Sequence, residues 1–334
     1  MWALQNRTPY SAERTWIRDK NGAHHWLVAV KATFQIVADG SLVLSDEQPP
    51  PLFAPEYQGK PGASSVRYEA DLSLMKPVTD VTLLGSAYAP GDRPVSQVQV
   101  SLRIDRIQKS LIVSGERVYY RSWTGIKMSP PLAFSRRPLS YELAFGGTDI
   151  SDTDLRKHVV DKRNPIGRGF AFRHEKLVDS PAPCIEYPGG DMAKMGPAGF
   201  GPIASYWSPR LELWGTFDEV WEKTKKPLLP DDYNDRVVLC SPRDQMPAQH
   251  LCGGEFLELT NLTPRGLLQF RLPKVHLSFT TFWGRRHEEH CNRLVSVVLE
   301  PDASRLMMVW QTDLPVMADS IDYLDSTVIL EKAY

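Results

Sequence analysis

Apolar and polar positions alternate with a period of two along much of this chain, and that spacing predicts strands. Residues 95–104 (VSQVQVSLRI) show it best: Val98, Val100, Leu102 and Ile104 fall on one face, Ser101 and Arg103 on the other. Residues 25–37 (HWLVAVKATFQIV) form a longer run, rich in β-branched and aromatic side chains. Asp39-Gly40 follows as a turn, and residues 41–44 can return as the partner strand. Residues 78–89 make a further strand region, ended by Pro90-Gly91. Residues 109–113 and 117–120 flank Ser114-Gly115, a spacing that predicts a tight hairpin. Strand patterns return at 236–240, 255–261, 267–272 and 275–283, with Thr263-Pro264-Arg265-Gly266 as a turn. Residues 292–300 and 305–312 read as a second hairpin across Pro301-Asp302-Ala303-Ser304. One segment, 216–225, suits a helix: Asp218 and Glu219 stand near its start, Lys225 and Lys226 at its end.

The stretch 123–235 has neither period. It carries Pro130-Pro131, Gly146-Gly147, Asn164-Pro165 and Gly189-Gly190, together with aromatics such as Tyr141, Phe172, Phe200, Trp214 and Trp221. A disordered linker lacks such aromatic content. The expectation is ordered loops pinned to a core by their rings. The chain therefore reads as mainly β, with two antiparallel sheet regions, sandwich- or barrel-like. These are an N-terminal β region (1–122) and a C-terminal β region (236–334), joined by a Gly/Pro/aromatic-rich middle (123–235) packed on the core. The three can equally form one continuous domain.

Composition narrows the function classes. With 39 basic and 40 acidic side chains the net charge is −1, so no global field draws nucleic acid or anionic lipid. No run approaches the roughly 18 apolar residues of a membrane span. The start, Met1-Trp2-Ala3-Leu4-Gln5-Asn6-Arg7, lacks the pattern of a secretory leader. Cys184, Cys240, Cys252 and Cys291 are widely and irregularly spaced, as expected of reduced thiols in a cytoplasmic protein.

Candidate chemistry is sparse. His287-Glu288-Glu289-His290-Cys291 holds metal-ligand types, but its histidines are three apart, whereas the helical zinc motif needs four. A polar hairpin loop between two strands accounts for it better. His24-His25 follows the turn Asn21-Gly22 and reads as the start of a strand. Gly167-Arg168-Gly169 lacks the third glycine of a dinucleotide site and the lysine of a phosphate loop. Asp149, Asp152, Asp154 and Asp161 lack calcium-loop spacing. No catalytic, metal or cofactor-binding set is read.

Several strings carry a resemblance. They begin with Asn6-Arg7-Thr8-Pro9-Tyr10, Lys76-Pro77, Thr79-Asp80-Val81 and Gly85-Ser86-Ala87-Tyr88. The most specific are 138–147 (PLSYELAFGG) and 164–170 (NPIGRGF), followed by Trp207-Ser208-Pro209-Arg210, Trp221 and Asp244-Gln245. Together, and in order over most of the chain, they resemble an accessory family of unnamed-function domains encoded in bacterial type VI secretion clusters. Leu143 departs from the arginine expected there, and Tyr119 or Tyr120 from a tryptophan. The resemblance implies a non-catalytic adaptor or chaperone. Its partner would be a cognate toxic effector, often one carrying a PAAR domain, loaded in the cytoplasm onto the VgrG spike. It supplies motif residues without assigning contacts: Glu142, Phe145, Gly146, Gly147, Asn164, Pro165, Gly167, Arg168, Gly169, Phe170, Trp207, Arg210 and Trp221. Glu142 and Arg168 are expected to pair and tie two loops together. Two other functions stay open: a hydrolase using an aromatic-lined pocket in the middle segment, and a structural part of the secreted spike.

Overall fold

The computed structural model describes residues 2–332; Met1 of the start read above lies outside them, as do residues 333–334 of the C-terminal region. The chain is mainly β, built from several antiparallel sheets, none closed into a barrel. The largest sheet runs in the order Ser11–Arg18, His24–Ile36, Arg305–Val316, Asn292–Glu300, Asp80–Leu83, with Leu42–Leu44 also paired to His24–Ile36. All its pairings are antiparallel except that of Asp80–Leu83 with Asn292–Glu300. A second sheet runs Ile185–Glu186, Ile107–Ser114, Gln97–Ile104, Phe256–Thr260, Leu267–Arg271. A third runs Ala3–Asn6, Ser326–Glu331, Leu277–Trp283, Arg286–His290. Both larger sheets thus take strands from either side of the middle segment.

Period two explains the layering. Trp26, Val28, Val30, Ala32 and Phe34 point from one face of the central strand into the main core, where they join Val98, Val100, Leu102, Leu257 and Leu259 of the second sheet. The other face of the same strand is buried too: Ala29 packs with Leu72, Val295 and Val309. A strand covered on both faces needs an almost continuous apolar run, as residues 25–37 supply. The middle segment contributes Tyr141, Phe200 and Trp207 to the core, and its helix, Glu219–Thr224, is capped by the Asp218 side chain.

Three local expectations need correction. Ser114-Gly115 makes no hairpin: Ile107–Ser114 instead pairs back onto Gln97–Ile104, turning through Asp105, whose φ is +49°. Gly115 is there for close approach, since a Cβ on it would lie 1.7 Å from the Leu132 carbonyl oxygen. Residues 236–240 hold no strand; Asp235–Val238 is a 3-10 turn because the Asn234 side chain accepts the Arg236 N–H and starts it. Residues 287–290 are no loop but part of the strand Arg286–His290, the turn lying at Gly284 with φ +55°. His24-His25 does open a strand. No described helix is long and apolar enough to cross a membrane.

Candidate partner-binding cleft

The two most specific strings meet. Phe145–Gly146 pairs in parallel with Arg168–Gly169, and Asn164 fastens the joint. Its side chain is fully buried and donates to the carbonyls of Tyr141 (2.7 Å) and Phe145 (3.0 Å). The Gly147 N–H returns a bond to the Asn164 carbonyl at 2.7 Å, and the Phe170 N–H donates to the Gly146 carbonyl. A Cβ on Gly146 would meet the Asn164 carbonyl oxygen at 2.3 Å, so only glycine lets the two loops approach this closely. Gly167 and Pro165 lie within the same knot, the Pro165 carbonyl accepting from the Thr148 hydroxyl.

The expected pairing of Glu142 with Arg168 is not made. Glu142 accepts from the Ser65 N–H at 2.8 Å and from its hydroxyl, while Arg168 binds Glu116 at 3.0 Å. Glu116 also takes Arg137 at 2.7 Å. Burial pushes the Glu116 carboxyl up, but the two guanidiniums outweigh it and hold its pKa below the usual range. Glu116 lies outside every quoted string, so the resemblance gave no handle on it.

Beside the knot, the middle segment and residues 236–246 leave an open cleft of about 770 Å3. Tyr141, Ile203, Leu213, Leu239 and Met246 give it an apolar lining, and Arg163, Arg210, Arg236 and Arg243 add guanidiniums. Two of these are satisfied internally. Arg210 is buried, bonds Glu69 at 2.6 Å and donates to the Val237 carbonyl; Arg163 pairs with Asp161 at 2.6 Å. Arg236 and Arg243 are exposed and form no ion pair or side-chain hydrogen bond among the described residues. Trp207 backs the cleft through an edge contact to Tyr141, ring centroids 5.7 Å apart. Trp221 sits apart, on the capped helix, donating to the Leu228 carbonyl.

The wall carrying Arg243 is held by buried charge. Asp80, 1% exposed, accepts from the Cys240 N–H (3.0 Å), the Ser241 N–H (2.9 Å) and the Ser241 hydroxyl (2.6 Å). Lys76, equally buried, sits 2.8 Å from Asp80. Burial disfavours both charges, yet the attraction between them keeps the Asp80 pKa low and the Lys76 pKa high. Gln245 donates to the carbonyls of Val81 and Phe200, both at 2.9 Å. Asp244 reaches Lys109 at 2.8 Å, and the Lys109 ammonium lies between the rings of Tyr187 and Phe200, 5.5 and 5.4 Å from their centroids. Burial pushes the Lys109 pKa down to about 8, against the pull of Asp244. Strings that served only as landmarks, Lys76-Pro77, Thr79-Asp80-Val81 and Asp244-Gln245, are thus the fastenings of this wall. Lys109 carried a readable signal: it occupies an inward position of a period-two strand between Ile107 and Leu111.

Residues 21–311 match a family model described as an uncharacterized protein conserved in bacteria, DUF2169. The chain belongs to this family. No curated protein and no solved structure matches it. The matched span of this DUF2169 protein takes in the knot, the cleft and every motif residue named above. Among the described residues no group of His, Cys, Asp and Glu is placed to hold a metal ion.

Proposed function

We propose that this DUF2169 protein is a non-catalytic adaptor that holds a segment of a partner protein in the cleft between the middle segment and residues 236–246. The observation that carries the reading is the pair Arg236 and Arg243, exposed beside an apolar lining with no counter-charge of their own. Such a surface fits an apolar side chain flanked by carboxylates, and arginine is enriched where binding energy concentrates. The lining contains one carboxylate, Asp244, already engaged with Lys109, and neither histidine nor cysteine. That inventory suits recognition better than proton transfer or nucleophilic attack.

The resemblance to type VI secretion accessory proteins supports the partner's identity: a toxic effector, PAAR-bearing in the usual arrangement, bound in the cytoplasm and passed to the VgrG spike. The test is co-expression with each protein encoded beside this gene, any effector or spike protein included, followed by affinity capture and size-exclusion chromatography. The expected result is a stable complex that R236E/R243E weakens at least tenfold while leaving the unfolding midpoint unchanged, because both residues are exposed. Failure to bind any neighbour, or unchanged binding by the double variant, refutes the reading.

A further inference from the structure

An adaptor must grip two partners at once, and the fold displays a second exposed surface, none of whose residues lines the cleft. Tyr119–Ser122 and Gly125–Met128 form a two-stranded hairpin in the register Ser122↔Gly125. At its tip Trp123 is 96% exposed. The next segment to pack on the hairpin, continuing directly from the 164–170 string, exposes Phe172 at 75%. Isolated exposed aliphatics are ordinary, but an indole presented this completely leaves a large apolar area uncovered.

The hairpin is not a loose flap. Its base forms a satellite core: Tyr119, Ile126 and Met128 pack with Ala171, Leu177 and Ala182. The Tyr119 N–H donates to the Ser180 carbonyl at 3.0 Å, and its carbonyl accepts from the Asp179 N–H at 2.8 Å. A Cβ on Gly169 would come 2.6 Å from the Tyr119 hydroxyl oxygen, so the motif glycine is what lets the hairpin seat on the knot. The hairpin that carries Trp123 is thus fixed at its base, which lowers the backbone part of the ordering cost of binding. Residues 119–128 carry two cations, Arg121 and Lys127, and no acid, in a chain whose net charge is −1. Both are exposed and unpaired among the described residues. By contrast, the free sheet edge at Arg286–His290 bears charges of both signs, the usual guard against edge pairing.

We propose that this hairpin is a second docking surface: Trp123 anchors in an apolar pocket of an acidic protein partner, and Arg121 and Lys127 meet carboxylates around it. The proposal builds on the adaptor reading, and the experiment separates the two. Binding of each protein encoded beside the gene is measured calorimetrically, at low and raised salt, for wild type, W123S, R121E/K127E and R236E/R243E. The expected result is one neighbour whose Kd rises at least tenfold with W123S and with R121E/K127E, rises with salt, and is unmoved by R236E/R243E. If no neighbour responds to W123S or R121E/K127E while R236E/R243E still abolishes a complex, the hairpin surface is refuted and the cleft reading stands. If no neighbour binds at all, both fall. Cosedimentation with phosphatidylserine vesicles, or binding to duplex DNA, that depends on Trp123 in place of a protein partner overturns the proposal as well. All three variants change exposed residues, so unaltered thermal melts are expected throughout.

Discussion

Removing either member of the buried pair Lys76–Asp80 should be costly, but the two losses should differ in a way the geometry sets. Breaking a buried ion pair from one side costs about 3–5 kcal/mol, because a charge is left without its partner. In Lys76→Met the orphan is Asp80, which retains three donors, the Cys240 N–H, the Ser241 N–H and the Ser241 hydroxyl. In Asp80→Ala the orphan is Lys76, whose one remaining hydrogen-bond partner among the described residues is the Ser296 hydroxyl at 2.9 Å, with the Glu69 carboxylate acting on it only through its charge. The same change strands two buried backbone N–H groups, each worth about 1–3 kcal/mol when unsatisfied. D80A should therefore destabilise by at least about 2 kcal/mol more than K76M. It should also loosen the wall bearing Arg243, so partner binding falls in D80A at temperatures where it is still folded. Urea titration followed by tryptophan fluorescence measures the first effect, provided the slopes of the transitions agree. Equal losses in the two variants, or a larger loss in K76M, would refute this account. The pH dependence follows the same logic. The folded pKa of Asp80 lies below its unfolded value, so its contribution is present above about pH 4 and is lost as pH falls through the folded pKa.

Two further outcomes are expected. Burial pushes the His290 pKa down to about 4, with its Nδ1 3.2 Å from the Thr312 hydroxyl. The unfolded chain takes up a proton near pH 6.5 that the folded chain refuses, so stability drops by about 2 kcal/mol from pH 7 to pH 5; in H290Q, calorimetric melts should show a correspondingly shallower fall. Asn164→Ala strips the Phe145 carbonyl of its side-chain donor and weakens the knot, for a loss of about 2–3 kcal/mol in chemical unfolding; a loss under about 0.5 kcal/mol would mean the two loops are held by other contacts.

The strands were legible wherever one side chain in two is buried, as in Gln97–Ile104, or where both faces are covered, as in His24–Ile36. Errors arose where a distant contact overrides a local cue. Ser114-Gly115 looks like a turn, yet its glycine answers to Leu132. Residues 236–240 look like a strand, yet the Asn234 cap starts a 3-10 turn. Arg168 pairs with Glu116, fifty-two positions away, and no local spacing announces that choice over Glu142. The cleft was illegible for the same reason: Tyr141, Leu213 and Arg243 share it only because Asp80 fastens residues 240–241 across the fold. Lys109, a charged residue at an inward position of the apolar strand Ile107–Ser114, was a local sign of that buried polar framework.

The central strand has a consequence for how the molecule is made. His24–Ile36 leaves the ribosome early, but its main partner, Arg305–Val316, follows about 270 residues later. At roughly 5–20 residues per second, the first strand waits on the order of ten seconds to a minute for its neighbour. During that interval the edge of His24–Ile36 that Arg305–Val316 will pair with lies open, and the core around Trp26, Val28, Val30 and Phe34 still lacks Leu306, Met308 and Trp310. Nascent chains stalled before residue 305 should accordingly be protease-sensitive and aggregation-prone, whereas chains extended past Val316 should gain protection in a single step.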